Sequence, residues 1–257
     1  MQTQSEVKES FKLLVLASML TLVLWFIPFA EVITYPIRLL VTYIHEAGHA
    51  LAALATFGSV NRIALDWSGS GVTWTRGGWG LAISSAGYLS TILYGSALLL
   101  FLRRARNART AALLTAGLLL FITVFFAGNS LAWLTGAIFG AGCVALALKG
   151  KPKLTHFLMS FLAVQCVLNA LYDLRSLLFL SAFDSAIATD AGNMSAATGG
   201  LVPAIVWAIG WSILAVAILV WTLVIYYRSL RSRASAVEDE PLALLLEEQS
   251  KAAHPHL

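Results

Sequence analysis

A short motif, HEAGH at residues 45–49, combines two histidines and a glutamate within an apolar stretch. On an α-helix, His45 and His49 lie one turn apart on one face, so their imidazoles can bind one metal ion. Glu46 lies about 60° around such a helix from His49, close to the metal without being a ligand. Zinc lowers the pKa of a bound water to about 7, and a carboxylate placed there can take its proton and return it to a leaving amine. The motif therefore predicts a zinc site with Glu46 as general base and acid.

A catalytic zinc needs a third protein ligand besides water. Asp173 is our first choice, because a carboxylate within an apolar segment is costly in a membrane and indicates function. An ion pair with Arg175 is its alternative role. Asp190 is the second choice, since the loop that holds it could fold back into a cavity, although a loop acid is more often solvated. Asp184 is a weaker candidate of the same kind.

The depths of the candidates in their segments leave this choice open. His45 lies about nine residues into its predicted span and Asp173 about nineteen into its own, which is about 14 Å against about 28 Å along the helices. Asn169 lies one helical turn before Asp173. We expect Asn169 to hydrogen-bond a substrate backbone or a ligand, with a polar contact between helices as the alternative.

The composition indicates a membrane protein. Hydrophobic residues make up 59% of the 257 residues and charged residues 12%, whereas soluble domains are about half apolar and about a quarter charged. The net charge of +4 comes from basic residues in short loops, a pattern that sets membrane orientation and not one typical of nucleic-acid binding. The two cysteines have no metal-binding or disulfide spacing and are expected to be buried. The first apolar run is too long for the core of a cleavable signal peptide.

Seven apolar segments are long enough to cross about 30 Å of hydrocarbon as helices. We predict them at about residues 11–30, 36–57, 79–102, 110–127, 130–148, 154–181 and 201–227. The predicted fold class is therefore all-α, a polytopic helical membrane protein with one domain over residues 1–231. Residues 232–257 are predicted to be a flexible cytoplasmic tail.

Lysine and arginine give the predicted orientation. They cluster at residues 103–109, 149–153 and 228–233 and are absent from the links at 128–129 and 184–200. Basic loops stay in the cytoplasm. This alternation predicts a cytoplasmic C-terminus and, for seven spans, an external N-terminus. If the first segment does not cross fully, the N-terminus is cytoplasmic.

Residues 61–78 do not have a helical pattern. Hydrophobic residues alternate on both sides of the tetrad SGSG at 68–71, which is typical of a β-hairpin. The edges of such a hairpin cannot face lipid unpaired. In the next span, Gly87 and Gly95 are predicted to be helix-packing positions.

Several motifs together resemble the site-2 protease class of intramembrane zinc metallopeptidases, and most closely its small bacterial members. They are HEAGHALAAL, GSGVTWTRGG, AGY, NALYDLRSLL, TDA and LVPAIVWAIGW, in chain order. The resemblance implies zinc bound by His45, His49 and an aspartate of a later span. It also implies hydrolysis of peptide bonds in membrane-anchored proteins, in or near the bilayer, and a β-hairpin that receives an extended substrate strand.

Two other functions are considered. In better-known members of the class the third ligand lies in a Leu-Asp-Gly sequence, whereas Asp173 is followed by Leu174 and Arg175. This departure allows a catalytically silent relative that acts as a membrane scaffold or regulator, although Glu46 argues against it. A metal transporter would need polar residues along several spans, and the fourth and fifth contain no carboxylate or histidine.

Overall fold

The computed structural model describes residues 4–27, 30–183 and 189–238. Within them the chain forms long helices and one small antiparallel sheet. The elements, in chain order, are α1 (Gln4–Phe26), α2 (Ala30–Ala55), β1 (Ser59–Leu65), β2 (Gly71–Arg76), α3 (Gly80–Phe101), a 3₁₀ turn (Ala105–Asn107), α4 (Ala108–Phe126), α5 (Ser130–Lys149), α6 (Pro152–Phe183), α7 (Asp190–Ala197) and α8 (Ala204–Glu238).

A long helix lies at each of the seven predicted positions, but the count of seven spans is not confirmed. Among the described residues, five helical segments are long and apolar enough to cross a membrane, in α3, α4, α5, α6 and the first part of α8. Of the first two helices, α1 contributes only a shorter apolar stretch, Phe11–Thr21, within the described residues, and α2 contains Arg38 together with the HEAGH motif. The mostly helical fold class holds, with seven spans still a prediction.

Helix α8 continues well past the predicted end of the last span. It extends to Glu238, so residues 232–238 of the predicted tail are helical. Residues 239–257 lie outside the described part of the chain. The division into one membrane domain and a flexible tail therefore stays a prediction.

The predicted β-hairpin is confirmed. Strands β1 and β2 pair antiparallel, with Leu65 opposite Gly71. The turn between them closes through a hydrogen bond from the Asp66 N–H to the Ser70 carbonyl of 2.8 Å. Gly69 adopts φ = 89° in this turn, a left-handed conformation that glycine tolerates best.

The two outer edges of the hairpin differ. The outer edge of β1 is covered by the link between α4 and α5, where Gly128 donates a backbone hydrogen bond to the Ile63 carbonyl (2.7 Å) and Asn129 bonds both backbone groups of Leu65. In the described part of the chain, no further strand pairs with β2 on its other side. An unpaired strand edge is a template for another strand.

Helix α2 packs against α3, the hairpin, α5 and α6. It approaches α3 very closely at Gly48, where a Cβ atom would lie 2.0 Å from Ser90 Oγ and 2.7 Å from the Ala86 carbonyl. Gly95 of α3 has the predicted packing role, because a Cβ there would lie 2.9 Å from the Ala163 carbonyl of α6. Small residues thus set the spacing of the helices that surround the HEAGH motif.

Candidate metal centre

Three side chains from two separate helices converge at the HEAGH motif. His45 and His49 of α2 meet Asp190, the first residue of α7, and these three form the group of described residues that could hold a metal ion. The two imidazole Nε2 atoms are 3.1 Å apart. Asp190 Oδ2 lies 3.3 Å from Nε2 of His45 and 3.4 Å from Nε2 of His49. The three atoms form a nearly equilateral triangle.

The size of this triangle suits zinc. Nitrogen and oxygen ligands about 2.0–2.1 Å from a tetrahedral zinc are about 3.3–3.4 Å from one another. Two imidazoles and one carboxylate are also an established donor set for catalytic zinc, which leaves a fourth position open. The residues therefore fit a catalytic zinc ion in both chemistry and spacing.

The hydrogen bond of His49 fixes which of its ring nitrogens can bind a metal. Nδ1 lies 2.6 Å from the Ile83 carbonyl, which can only accept a hydrogen bond. Nδ1 must then carry a proton, so Nε2, which faces Asp190, is the nitrogen that can lose its proton and bind a metal. A backbone carbonyl behind a metal-binding histidine commonly orients the ring in this way.

Helix α7 brings Asp190 into the site. Thr189 caps the helix by accepting a hydrogen bond of 3.1 Å from the Gly192 N–H through its hydroxyl. Ala191 and Met194 are buried and hold this short helix against its neighbours. Burial raises the pKa of the Asp190 carboxyl, but hydrogen bonds from the two histidines and their charges outweigh it and hold that pKa below its ordinary value. Asp190 is thus an anion that faces two imidazoles.

Glu46 is buried beside the triangle and contacts the hairpin. Its side chain is 3% exposed. The Thr73 hydroxyl of β2 lies 2.6 Å from Glu46 Oε2 and 3.0 Å from the Glu46 backbone carbonyl. Gly71 leaves room for the carboxylate, since a Cβ there would lie 2.8 Å from Glu46 Oε1. The strand with the open edge therefore lies directly against the candidate base.

Two residues of α3 complete the surroundings. A Cβ at Gly87 would lie 2.2 Å from His45 Nε2 and 2.5 Å from His49 Nε2. Gly87 is therefore more than a helix-packing position, because its missing side chain leaves the metal-binding nitrogens accessible. The ring of Tyr88 packs edge-on against His45 at 4.7 Å between centroids and stacks on Trp211 of α8 at 5.8 Å. Sequence reasoning gave neither residue a place in the site, although the AGY motif contains both.

Asp173 and Asn169 lie on α6 and are not part of the triangle. Asp173 interacts electrostatically with His45 and Arg38. Asp173 and Arg175 both belong to the described residues, and they do not form an ion pair with each other. Asn169 donates hydrogen bonds through Nδ2 to the backbone and side-chain oxygens of Gln165, at 2.8 and 3.2 Å. Their predicted roles as zinc ligand and substrate contact stay predictions. Asp184 lies outside the described residues.

The comparison with protein families agrees with the motif. A family model described as Peptidase M50B-like matches residues 14–222. The chain belongs to the Peptidase M50B-like family. This is a site-2 protease family, so the resemblance expected from the sequence is confirmed.

Membership in the Peptidase M50B-like family agrees with the apolar helices and with the histidine–aspartate triangle. Together they indicate a multi-pass membrane protein of the site-2 protease type, in a group of peptidases that is generally zinc-dependent. Neither a curated protein nor a solved structure matches the chain significantly.

Proposed function

We propose that the protein is a zinc-dependent endopeptidase that hydrolyses peptide bonds of membrane-anchored proteins within or near the bilayer. The observation that carries this proposal is the triangle of His45, His49 and Asp190 with Glu46 beside it. Its spacing favours Asp190 over Asp173 as the third ligand. When bound, zinc supplies the Lewis acidity that makes a water molecule nucleophilic at neutral pH.

In this proposal each side chain of the site has a separate role. His45, His49 and Asp190 hold the ion. Glu46 accepts a proton from the attacking water as the new C–O bond forms, and it delivers that proton to the amine nitrogen as the C–N bond breaks. The Thr73 hydroxyl, which donates to Glu46, fixes the direction of the carboxylate.

The open edge of β2 suits an extended substrate segment. A substrate added to this edge would run past Gly71 and Thr73, which both contact Glu46. Strand addition uses main-chain hydrogen bonds and so needs an unwound segment. The proposed substrate is therefore a membrane-anchored protein whose helix is locally weak, for example through glycine or proline.

The test joins metal content to cleavage in the purified, reconstituted protein. We expect about one zinc ion per native chain, as structural and catalytic zinc sites require. His45→Ala and Asp190→Ala should lose it, whereas Asp173→Ala should keep it. Zinc lost in Asp173→Ala but kept in Asp190→Ala would instead make Asp173 the ligand.

Cleavage is measured on a single-span reporter peptide whose apolar segment is interrupted by Gly-Pro and flanked by a fluorophore and a quencher. Native protein should cleave it, and Glu46→Gln should bind zinc normally but cleave at least about 100-fold more slowly, as expected for loss of a general base. A different outcome is zinc binding by both proteins without cleavage of this reporter. If mapping of new N-termini in expressing cells also shows no cleaved membrane protein, the result favours a catalytically silent scaffold or regulator.

A further inference from the structure

Tyr88 lies in the site without a role in the proposed mechanism. Its ring is fixed on two sides, by the edge-on contact with His45 and by the stacking contact with Trp211, which is 5% exposed. Both contacts are made by the ring and not by the hydroxyl group. The ring is thus held in one orientation while its polar end is available.

Tyr88 lies beside the polar part of the site, because its ring contacts His45 of the triangle. Its hydroxyl group interacts electrostatically with the carboxylates of Asp190, Asp173 and Glu46. Among the described residues this hydroxyl has no hydrogen-bond partner. It is also not one of the fully buried side-chain atoms that lack a partner. A tyrosine hydroxyl carries its proton at neutral pH and can donate it to a hydrogen bond. The site therefore contains an oriented, unused donor.

We propose that Tyr88 is a catalytic residue whose hydroxyl donates a hydrogen bond to the oxygen of the scissile carbonyl as negative charge develops there. This inference rests on the proposed peptidase function. The hydroxyl keeps its proton throughout, while Glu46 carries the proton that moves from water to the leaving amine. A fixed donor is effective because it needs no reorganisation when the charge appears.

The test uses Tyr88→Phe, which removes the hydroxyl and keeps the ring. With the single-span reporter peptide, we expect kcat to fall about 100-fold, as for loss of one oxyanion donor, with KM and zinc content unchanged. Tyr94→Phe is the matched control on the same helix, because the Tyr94 hydroxyl contacts Thr115 Oγ1 at 2.6 Å and no residue of the site. It should behave as native protein.

A binding measurement tests Tyr88 independently of turnover. A phosphinic peptide mimics the tetrahedral oxyanion, and its affinity for zinc-loaded protein can be measured by calorimetry in a Glu46→Gln background. Adding Tyr88→Phe should weaken binding about 10- to 100-fold, the effect of one hydrogen bond to a charged group, whereas Tyr94→Phe should not.

The outcomes separate this inference from the proposed function. Native cleavage with Tyr88→Phe unchanged in kcat and in phosphinate affinity, within about twofold, would overturn the role of Tyr88 alone. Phosphinate binding that depends on Tyr88, in a native protein that cleaves nothing, would support the donor while rejecting the peptidase function. If the Glu46→Gln protein binds no phosphinate either with or without Tyr88→Phe, both the peptidase function and the role of Tyr88 as donor are rejected.

Discussion

At the scale of single residues, two glycines border the site, one at the histidines and the other at Glu46. Gly87 of α3 faces the Nε2 atoms of both histidines, and Gly71 of β2 faces the carboxylate of Glu46. A methyl group at either position would enter space that the reaction uses. The two positions therefore test the metal and the base separately.

Gly87→Ala should abolish zinc binding. The added Cβ would lie 2.2 Å from His45 Nε2 and 2.5 Å from His49 Nε2, which is far inside van der Waals contact and would occupy the face of the nitrogens that a metal needs. Gly71→Ala should keep zinc but slow cleavage at least about tenfold, because Glu46 must move away from its position and misplacement of a catalytic group is costly. Zinc content and reporter cleavage are measured on both variants.

Gly80→Ala is the control for both substitutions, since a Cβ there has no neighbour within 4 Å and the residue lies on the same helix as Gly87. Full zinc content in Gly87→Ala would contradict metal binding by the facing nitrogens. Loss of zinc in Gly71→Ala would mean that the hairpin and the metal site are not separable.

The difference between the ligands explains what the sequence could predict. His45 and His49 are neighbours on one helix, so their spacing alone predicts that their imidazoles meet. Asp190 reaches them only because α7 packs against α3 and α8, far from α2 in the sequence. The same holds for Gly87, which belongs to the site through the close approach of α3 to α2 at Gly48.

At the scale of elements, the hairpin is held in place through β1, while the outer edge of β2 has no strand paired to it among the described residues. Asn129 joins β1 to α5: its Oδ1 accepts hydrogen bonds from the N–H groups of Leu65 (3.3 Å) and Ala132 (3.0 Å), and its Nδ2 donates to the Leu65 carbonyl (2.7 Å). On the opposite strand, Thr73 contacts Glu46. A change at Asn129 should therefore affect the position of β2 relative to the base.

Asn129→Ala should lower the free energy of unfolding by about 1–3 kcal/mol, because the N-cap of α5 and two hydrogen bonds to Leu65 are lost. Cleavage of the reporter should fall while zinc content stays constant, since no metal ligand is touched. Asn129→Ser should recover part of the stability, because serine caps helices well, but it is too short to bond Leu65 as asparagine does. Unfolding in mixed micelles and reporter kinetics measure the two effects.

Asn61→Ala is the matched control, because Asn61 is exposed on β1 and makes no side-chain hydrogen bond within the described part of the chain. It should leave both quantities unchanged. If Asn129→Ala lowers stability but cleavage is as fast as in native protein, the position of the hairpin does not limit the reaction.

At the scale of the whole molecule, the hairpin, the link between α4 and α5, and α7 must approach α2 from the same end. Hydrogen bonds and the strand bridge join β1 to Ala127–Asn129, and Asp190 meets the histidines. The charge alternation of the sequence independently predicts that the links at 128–129 and 184–200 lie on the non-cytoplasmic side. Hydropathy and charge thus agree with the packing, although the seven spans that hydropathy predicts are not confirmed among the described residues.

Single cysteines can test this arrangement, because the native Cys143 and Cys166 are buried and should not react with a membrane-impermeant maleimide. Arg106→Cys lies in an exposed basic link and Asn61→Cys on the exposed part of β1. We expect Arg106→Cys to be labelled only in inside-out vesicles, since basic loops stay in the cytoplasm, and Asn61→Cys only in right-side-out vesicles. Labelling of both from one side would mean that α3 does not cross the membrane and that Asp190 reaches the histidines in another topology. If Asn61→Cys is labelled only in inside-out vesicles and Arg106→Cys only in right-side-out vesicles, the arrangement of the site is unchanged. The hairpin, and with it the entry of an extended substrate, then lies on the cytoplasmic side.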